Sequence, residues 1–305
     1  MGTTGHLVAF DEKTYRAVMI RYWLGRRSRL HLLAAFAAFW LAGCGNPPYP
    51  RGTVDSLFPT GQHPVFSTKQ VLDRTLNMAR VDNAPNTLNK GPVLLFVHGS
   101  PGDWKAWSYY LRAPELAGFA TRLAVDRPGF GGSRADGVMP NLREQAALLT
   151  ELIPPGKKAI VVGHSLGGPL VAWMAIDAPD RVCGAVSIAG SLSSLYEAPR
   201  WYNQLADWAL LSWAIPAEMI QSNHEMMPLE GELAKLEPFL VKLQVPLIVM
   251  QGGKDSLVDP RTADEVEKHM SKTWVTVQRL PLENHFVLWE KPQLVVDAIR
   301  SLPCV

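Results

Sequence analysis

After residue 65 the chain alternates between short apolar runs and longer amphipathic stretches. Val93-Leu94-Leu95-Phe96-Val97 is an unbroken apolar run that follows Gly91-Pro92. Such a run bounded by turn residues predicts a strand buried on both faces. The same signature recurs at Leu123–Val125, Ala159–Val162, Val182–Ala189, Pro246–Met250 and Trp274–Leu280. Between these runs, apolar residues spaced for one helix face predict helices at Leu142–Leu152, Leu166–Ala178, Asp264–Met270 and Gln293–Leu302. Strands alternating with helices predict a mostly parallel sheet with helices on both faces.

Two stretches break the alternation. From Ser191 to Gln244 no strand pattern is present, and Trp201, Trp208, Trp213, Met219, Met226 and Met227 recur. An insert at residues 191–244 that caps an apolar cleft is the expectation, with Trp201 and Trp208 as candidate pocket residues. At the other end, Arg21, Arg26, Arg27 and Arg29 precede an apolar run from Leu32 to Gly43. A basic segment, a short apolar core and small residues form the pattern of a secretory signal. The run is too short to span a bilayer, which takes roughly 20 apolar residues as a helix. It ends in Leu41-Ala42-Gly43-Cys44, which resembles the lipobox of bacterial lipoproteins. That resemblance implies removal of residues 1–43 and a lipid anchor on Cys44. With Gly45 next, it also implies an outer-membrane lipoprotein facing the periplasm. The prolines and glycines of residues 45–64 suggest a semi-extended tether, which leaves residues 65–305 as the folded domain.

Composition narrows the classes further. Hydrophobic residues make up 47% of the 305 and charged residues 19%, an ordinary globular balance. Lys plus Arg total 30 against 28 Asp plus Glu; without the six basic and two acidic residues of 1–43, 24 basic and 26 acidic residues remain. The folded part therefore carries no basic excess of the kind that marks a nucleic-acid protein. No CxxC pair, phosphate loop or GxGxxG fingerprint is present, so no metal or other cofactor is expected. Three cysteines, Cys44, Cys183 and Cys304, do not make a disulfide framework. Export permits a Cys183–Cys304 bond, but two unpaired thiols are the preferred reading.

The chemistry clusters where predicted strands end. Gly163-His164-Ser165-Leu166-Gly167 follows Ala159–Val162 and opens a helical pattern. A G-x-S-x-G sequence between strand and helix makes a sharp turn that presents its serine at a helix N-terminus. A serine hydroxyl needs a base to take its proton, and histidine oriented by a carboxylate is the usual one. A Ser-acid-His chain order leaves His224, His269 or His285 as base. His224 lies in the strandless insert and His269 inside a charged helical stretch. His285 lies just past the last strand and is preferred.

Four further motifs appear in order along the chain: His98-Gly99-Ser100-Pro101-Gly102, Asp126-Arg127-Pro128-Gly129-Phe130-Gly131-Gly132-Ser133, Gly252-Gly253-Lys254-Asp255 and Asn284-His285-Phe286. With the serine turn, they resemble the α/β-hydrolase family over roughly residues 65–302. The resemblance implies an α/β-hydrolase fold with a helical cap. It implies Ser165 as nucleophile, His285 as base and Asp255 as its carboxylate, with Asp259 and Glu197 as rivals for the last role. It further implies an oxyanion hole formed by the backbone N–H groups of Leu166 and Ser100, with a cis bond before Pro101 as one way to aim that loop. His98 is expected to shape its loop by hydrogen bonding, His164 to point away from Ser165, and Trp104 and Trp107 to line the pocket.

The function expected from these residues is hydrolysis of carboxylic esters of small or medium apolar molecules. Proline iminopeptidases, carbon–carbon bond hydrolases and cofactor-free haloperoxidases share the triad and remain open. The cap acids Glu218, Glu225, Glu230, Glu232 and Glu237 could serve a peptidase as an amine site. Epoxide hydrolases and haloalkane dehalogenases carry an aspartate where this chain has Ser165. A non-catalytic envelope binding protein on the same fold is the alternative from another class.

Overall fold

In the computed structural model, residues 52–82, 91–199, 203 and 215–304 are described. Cys44, Trp201, Trp208 and the expected signal lie outside these residues. Eight strands form one sheet: β1 (Val65–Val71), β2 (Arg74–Asp82), β3 (Val93–Val97), β4 (Thr121–Val125), β5 (Ala159–His164), β6 (Val182–Ile188), β7 (Leu247–Gly252) and β8 (Val275–Leu280). Their spatial order is β1-β2-β4-β3-β5-β6-β7-β8. β2 runs antiparallel to both of its neighbours, and all other pairs are parallel.

The unbroken apolar run of β3 consists of two interleaved faces. Val93, Leu95 and Val97 enter one buried cluster, while Leu94 and Phe96 enter the other. Alternate side chains of a strand point to opposite faces, so both faces must be apolar when both are covered. On the first face lie α1 (Leu142–Thr150), α2 (Gly167–Asp177) and residues of the insert. On the second lie Trp107, Tyr110 and the last helix, here α6 (Pro292–Ser301).

The order β4-β3-β5 places the sheet's switch of direction at β3. Chain segments leaving β3 and β5 diverge there and open a crevice beyond the strands' carboxyl ends. The loop with Ser100 and the turn with Ser165 both leave from this point.

Two elements had no clear signature in the pattern. β1 and β2 form a hairpin at the sheet edge, and β1 is exposed along most of its length. The insert between β6 and β7 includes a short 3₁₀ turn at Ser194–Tyr196 and the longer helices α3 (Ala217–Met226) and α4 (Leu229–Leu240). A further helix, α5 (Thr262–His269), follows β7. Of the expected tether, residues 52–64 are described. They include a short helix at Val54–Leu57 and a fully buried Phe58, so packing begins before residue 65.

Trp104 and Trp107, expected as pocket residues, are buried in the core on the second face of the sheet. Trp107 is fully buried and stacks on Phe96 of β3, with ring centroids 4.9 Å apart. Trp104 packs edge-on against Phe66 of β1 at 5.1 Å. Both turn toward the second face of the sheet because Phe96 and the neighbouring aromatics offer a large apolar surface there.

Cys183 and Cys304 form a disulfide, with Cα atoms 5.3 Å apart, contrary to the preferred reading of two free thiols. The C-terminal helix α6 packs over β6 and brings its following residues against that strand. The bond closes a sequence separation of 121 residues, and cross-links of this kind stabilise by about 2–4 kcal/mol. Cys304→Ser is expected to lower the free energy of unfolding in urea by that amount, with a lower midpoint, and reduction of the wild type to do the same. An unchanged midpoint, or two titratable thiols in the unfolded, unreduced domain, contradicts the assignment.

Candidate active site

Ser165 sits between the last residue of β5 and the first of α2 with φ +54°, in the left-handed region. That backbone costs a non-glycine residue of order 1–2 kcal/mol, so its surroundings must hold it. The Ser165 N–H donates to the Ile188 carbonyl at 2.9 Å, and the Gly168 N–H donates to the Ser165 carbonyl at 2.8 Å. Glycine is required on both sides. A Cβ on Gly163 would collide with the Gly167 carbonyl, and one on Gly167 with the Val97 carbonyl. The turn is therefore wedged against the ends of β3 and β6, and the half-buried serine remains reachable.

Asp255 and His285 meet in two loops that are tied together. Gly253 N–H donates to the Leu280 carbonyl and Lys254 N–H to the Glu283 carbonyl, each at 2.9 Å. The Asp255 carboxylate is buried. Its Oδ1 accepts from the N–H groups of Leu257 and Val258, both at 2.9 Å, and its Oδ2 accepts from His285 Nδ1 at 2.9 Å. A carboxylate held this way fixes the tautomer with the proton on Nδ1 and leaves Nε2 as the basic nitrogen. The rival acid Asp259 instead holds Arg261 in a 2.6 Å contact that keeps its carboxyl below the usual range. His224 is exposed on α3, and His269 is exposed and bonded to Glu265 on its own helix.

His164 turns away from Ser165 and donates from Nε2 to the His285 carbonyl at 3.0 Å. Its ring lies 4.8 Å from that of His285 and 5.1 Å from that of Trp289. Burial, followed by the nearby His285 ring, lowers its pKa to about 3. His98 is also buried and held well below the ordinary value, first by burial and then by Arg127. Its Nε2 accepts from the Arg127 backbone N–H at 2.9 Å, so the proton sits on Nδ1, which faces the Gly99 carbonyl at 2.7 Å. Both rings organise the backbone, as expected for residues that are not bases.

The Ser100–Pro101 bond is cis. Among the described residues, no group accepts from the backbone N–H of Ser100 or of Leu166. Asp126 knits the next loop by accepting from Trp104 N–H at 2.7 Å, Gly132 N–H at 2.8 Å and Asn77 Nδ2 at 2.8 Å. Its neighbour Arg127, which the sequence motif contains without singling it out, is fully buried. No group of three potential metal ligands occurs among the described residues. A cleft of about 480 Å³ lies elsewhere, between α1, α2 and α4, lined by residues such as Arg143, Trp173 and Phe239.

A family model described as "Alpha/beta hydrolase family" matches residues 94–298. The chain belongs to the α/β-hydrolase family. It is 35% identical over 108 residues to bifunctional epoxide hydrolase 2 of Sus scrofa, covering 33% of this chain and 19% of that protein. It is 36% identical over 106 residues to the pimeloyl-[acyl-carrier protein] methyl ester esterase of Klebsiella pneumoniae subsp. pneumoniae, covering 34% of this chain and 39% of that one. The matched region thus spans well under half the length of these relatives. Among solved structures, epoxide hydrolase CorEH without ligand is similar with a TM-score of 0.62 at 18% identity, covering 79% of this chain and 98% of that one. This last likeness is one of fold.

The two buried histidines make a stability prediction. His164 has a pKa of about 3 when folded against 6.5 ordinarily. Between those pH values the unfolded chain binds a proton that the folded protein does not, so stability falls as pH falls. Each such ring contributes a slope of about 1.4 kcal/mol per pH unit well below its unfolded pKa. Urea unfolding from pH 7 to pH 4.5 is expected to show this decline, and His164→Asn to flatten it by about one proton. Equal slopes in the two proteins would contradict the neutral, buried ring.

Proposed function

We propose that the protein is a serine hydrolase that cleaves carboxylic esters of small or medium apolar molecules. What carries this reading is a serine held in a wedged, left-handed turn, together with a histidine whose tautomer a buried carboxylate fixes. Ser165 Oγ attacks the ester carbonyl while His285 Nε2 takes its proton. The carbonyl oxygen gains charge and is met by the N–H groups of Leu166 and Ser100, preorganised donors of the kind that carry much of acyl-transfer catalysis. His285 returns the proton to the leaving alcohol. Water then attacks the acyl-enzyme with His285 again as base, which releases the acid and restores Ser165. Asp255 stabilises the imidazolium in both steps.

Ser165 supports ester cleavage over epoxide opening, because the epoxide-opening members of the family carry an aspartate at this turn. The engagement of four of the five cap acids weighs against an amine site. Glu225 pairs with Arg127, Glu218 with Arg134 and Glu232 with Lys235, while Glu237 accepts from Ser194 N–H and Oγ.

A fluorophosphonate probe is expected to label the full chain, and Ser165→Ala to abolish the labelling. Ser165→Ala and His285→Ala are expected to lower kcat on a panel of acyl esters by about 10⁴-fold or more, and Asp255→Asn by about 10⁴-fold. A folded wild type that neither labels nor turns over, yet binds apolar ligands, would replace the enzyme reading with that of a binding protein.

The proposal extends to location: export, cleavage before Cys44 and lipidation of that cysteine in the outer membrane facing the periplasm. The Cys183–Cys304 disulfide supports an oxidising compartment. Full-length chain expressed in a Gram-negative host with an alkyne fatty acid is expected to carry the label, and Cys44→Ser to lose it. Equal labelling of both, or of neither, would refute the anchor.

A further inference from the structure

Arg127 is fully buried, and all five of its guanidinium N–H groups are used. Nε donates to the His98 carbonyl at 2.9 Å and Nη2 to the Gly99 carbonyl at 2.9 Å. Nη1 donates to Gln145 Oε1 of α1 at 2.8 Å. Nη1 and Nη2 also grip both oxygens of Glu225, at 2.7 and 2.9 Å. Glu225 is equally buried and belongs to α3 of the insert. One cation thus joins the loop after β3, the loop after β4, α1 and the cap.

The Gly99 carbonyl is one end of the peptide unit whose other end is the N–H of Ser100. A peptide is planar, and in its trans form the C=O and N–H point in opposite directions. Two donors, Arg127 Nη2 and His98 Nδ1, hold the carbonyl end. The N–H end must therefore face away from them, and among the described residues it has no acceptor. Donation from a guanidinium to the carbonyl also polarises the unit and strengthens its N–H as a donor. The cap adds a second tie to the same loop, a hydrogen bond of 3.0 Å from Ser100 Oγ to Ser222 Oγ on α3.

We infer that Arg127, aimed by the bidentate Glu225 of the cap helix, is the positioning residue that orients the Gly99–Ser100 peptide toward the developing oxyanion. This rests on the serine-hydrolase reading above. The cap then does more than cover a cleft, because its helix α3 supplies the anion that keeps the oxyanion donor in register. Lysine cannot substitute for Arg127, since a point charge on a flexible stem cannot hold two carbonyls and a carboxylate in one plane.

The test separates positioning from folding. Glu225→Gln and Arg127→Lys break the fork. The double variant Arg127→Met with Glu225→Leu removes both charges, a replacement that buried pairs often tolerate without loss of stability. Each is measured in the full chain on a p-nitrophenyl ester, with active sites titrated by the fluorophosphonate and thermal unfolding run in parallel. Glu232→Gln, a cap acid bonded to α1 at Leu142 N–H, serves as the control for cap loosening. The expected result is a loss of kcat of about 10²-fold in the fork variants with KM little changed. Affinity for a trifluoromethyl ketone should fall by the same factor as kcat/KM, while Glu232→Gln keeps the wild-type ratio of ketone affinity to KM. Fork variants that fold and retain kcat, or that lose only KM, overturn the inference. Should the single variants fail to fold, the double variant decides in the same way. Wild type that reacts at Ser165 while the fork variants match it refutes the positioning role alone. A wild type without Ser165 reactivity refutes the serine-hydrolase reading and the inference with it.

Discussion

The turn at Ser165 can exist only where three strand ends support it. A non-glycine residue at φ +54° carries strain that an isolated strand–helix junction would release. Here the serine N–H is tied to β6, and Gly163 and Gly167 let the turn press against its own helix and the end of β3. The parallel sheet makes those ends coincide, since its strands finish at one edge. Strain of this kind persists only when the surrounding structure over-determines it, and β3, β5 and β6 together do so.

The same edge explains how separate loops form one site. Asp255 and His285 follow β7 and β8, and backbone bonds between their loops keep the acid and base at hydrogen-bonding distance. On the other side of Ser165, His98 and Arg127 follow β3 and β4 and hold a single peptide carbonyl. His164 links the halves, because it precedes the serine and carries the His285 backbone. Burial keeps the rings of His98 and His164 neutral, so neither histidine adds a cation to the site.

The sheet was legible because its central strands are buried on both faces and read as unbroken apolar runs. The elements the pattern missed are those whose burial is mixed. β1 exposes nearly all its side chains, so no alternation stands out. α3 buries Ser222, Asn223 and Glu225, and polar residues on the inward face defeat a reading based on hydrophobic periodicity. The residues of the candidate site sit at motif positions and could be named. Arg127 sits in a motif as well, yet nothing in the sequence says which carbonyls its side chain reaches. That Trp104 and Trp107 join the core is not legible in the sequence, because nearness along the chain to the Ser100 loop says nothing about which face of the sheet a ring joins. The Cys183–Cys304 bond is hidden from the sequence for the same reason, as it spans 121 residues and depends on where α6 packs.

The most direct test of the account is the crystal structure of the protein after reaction with a fluorophosphonate. The expected result is phosphorus bonded to Ser165 Oγ. Also expected is a phosphoryl oxygen about 2.7–3.1 Å from the N–H groups of both Leu166 and Ser100, with His285 Nε2 facing the serine oxygen. Phosphorus on another residue, or a phosphoryl oxygen directed away from the Gly99–Ser100 peptide, would contradict it.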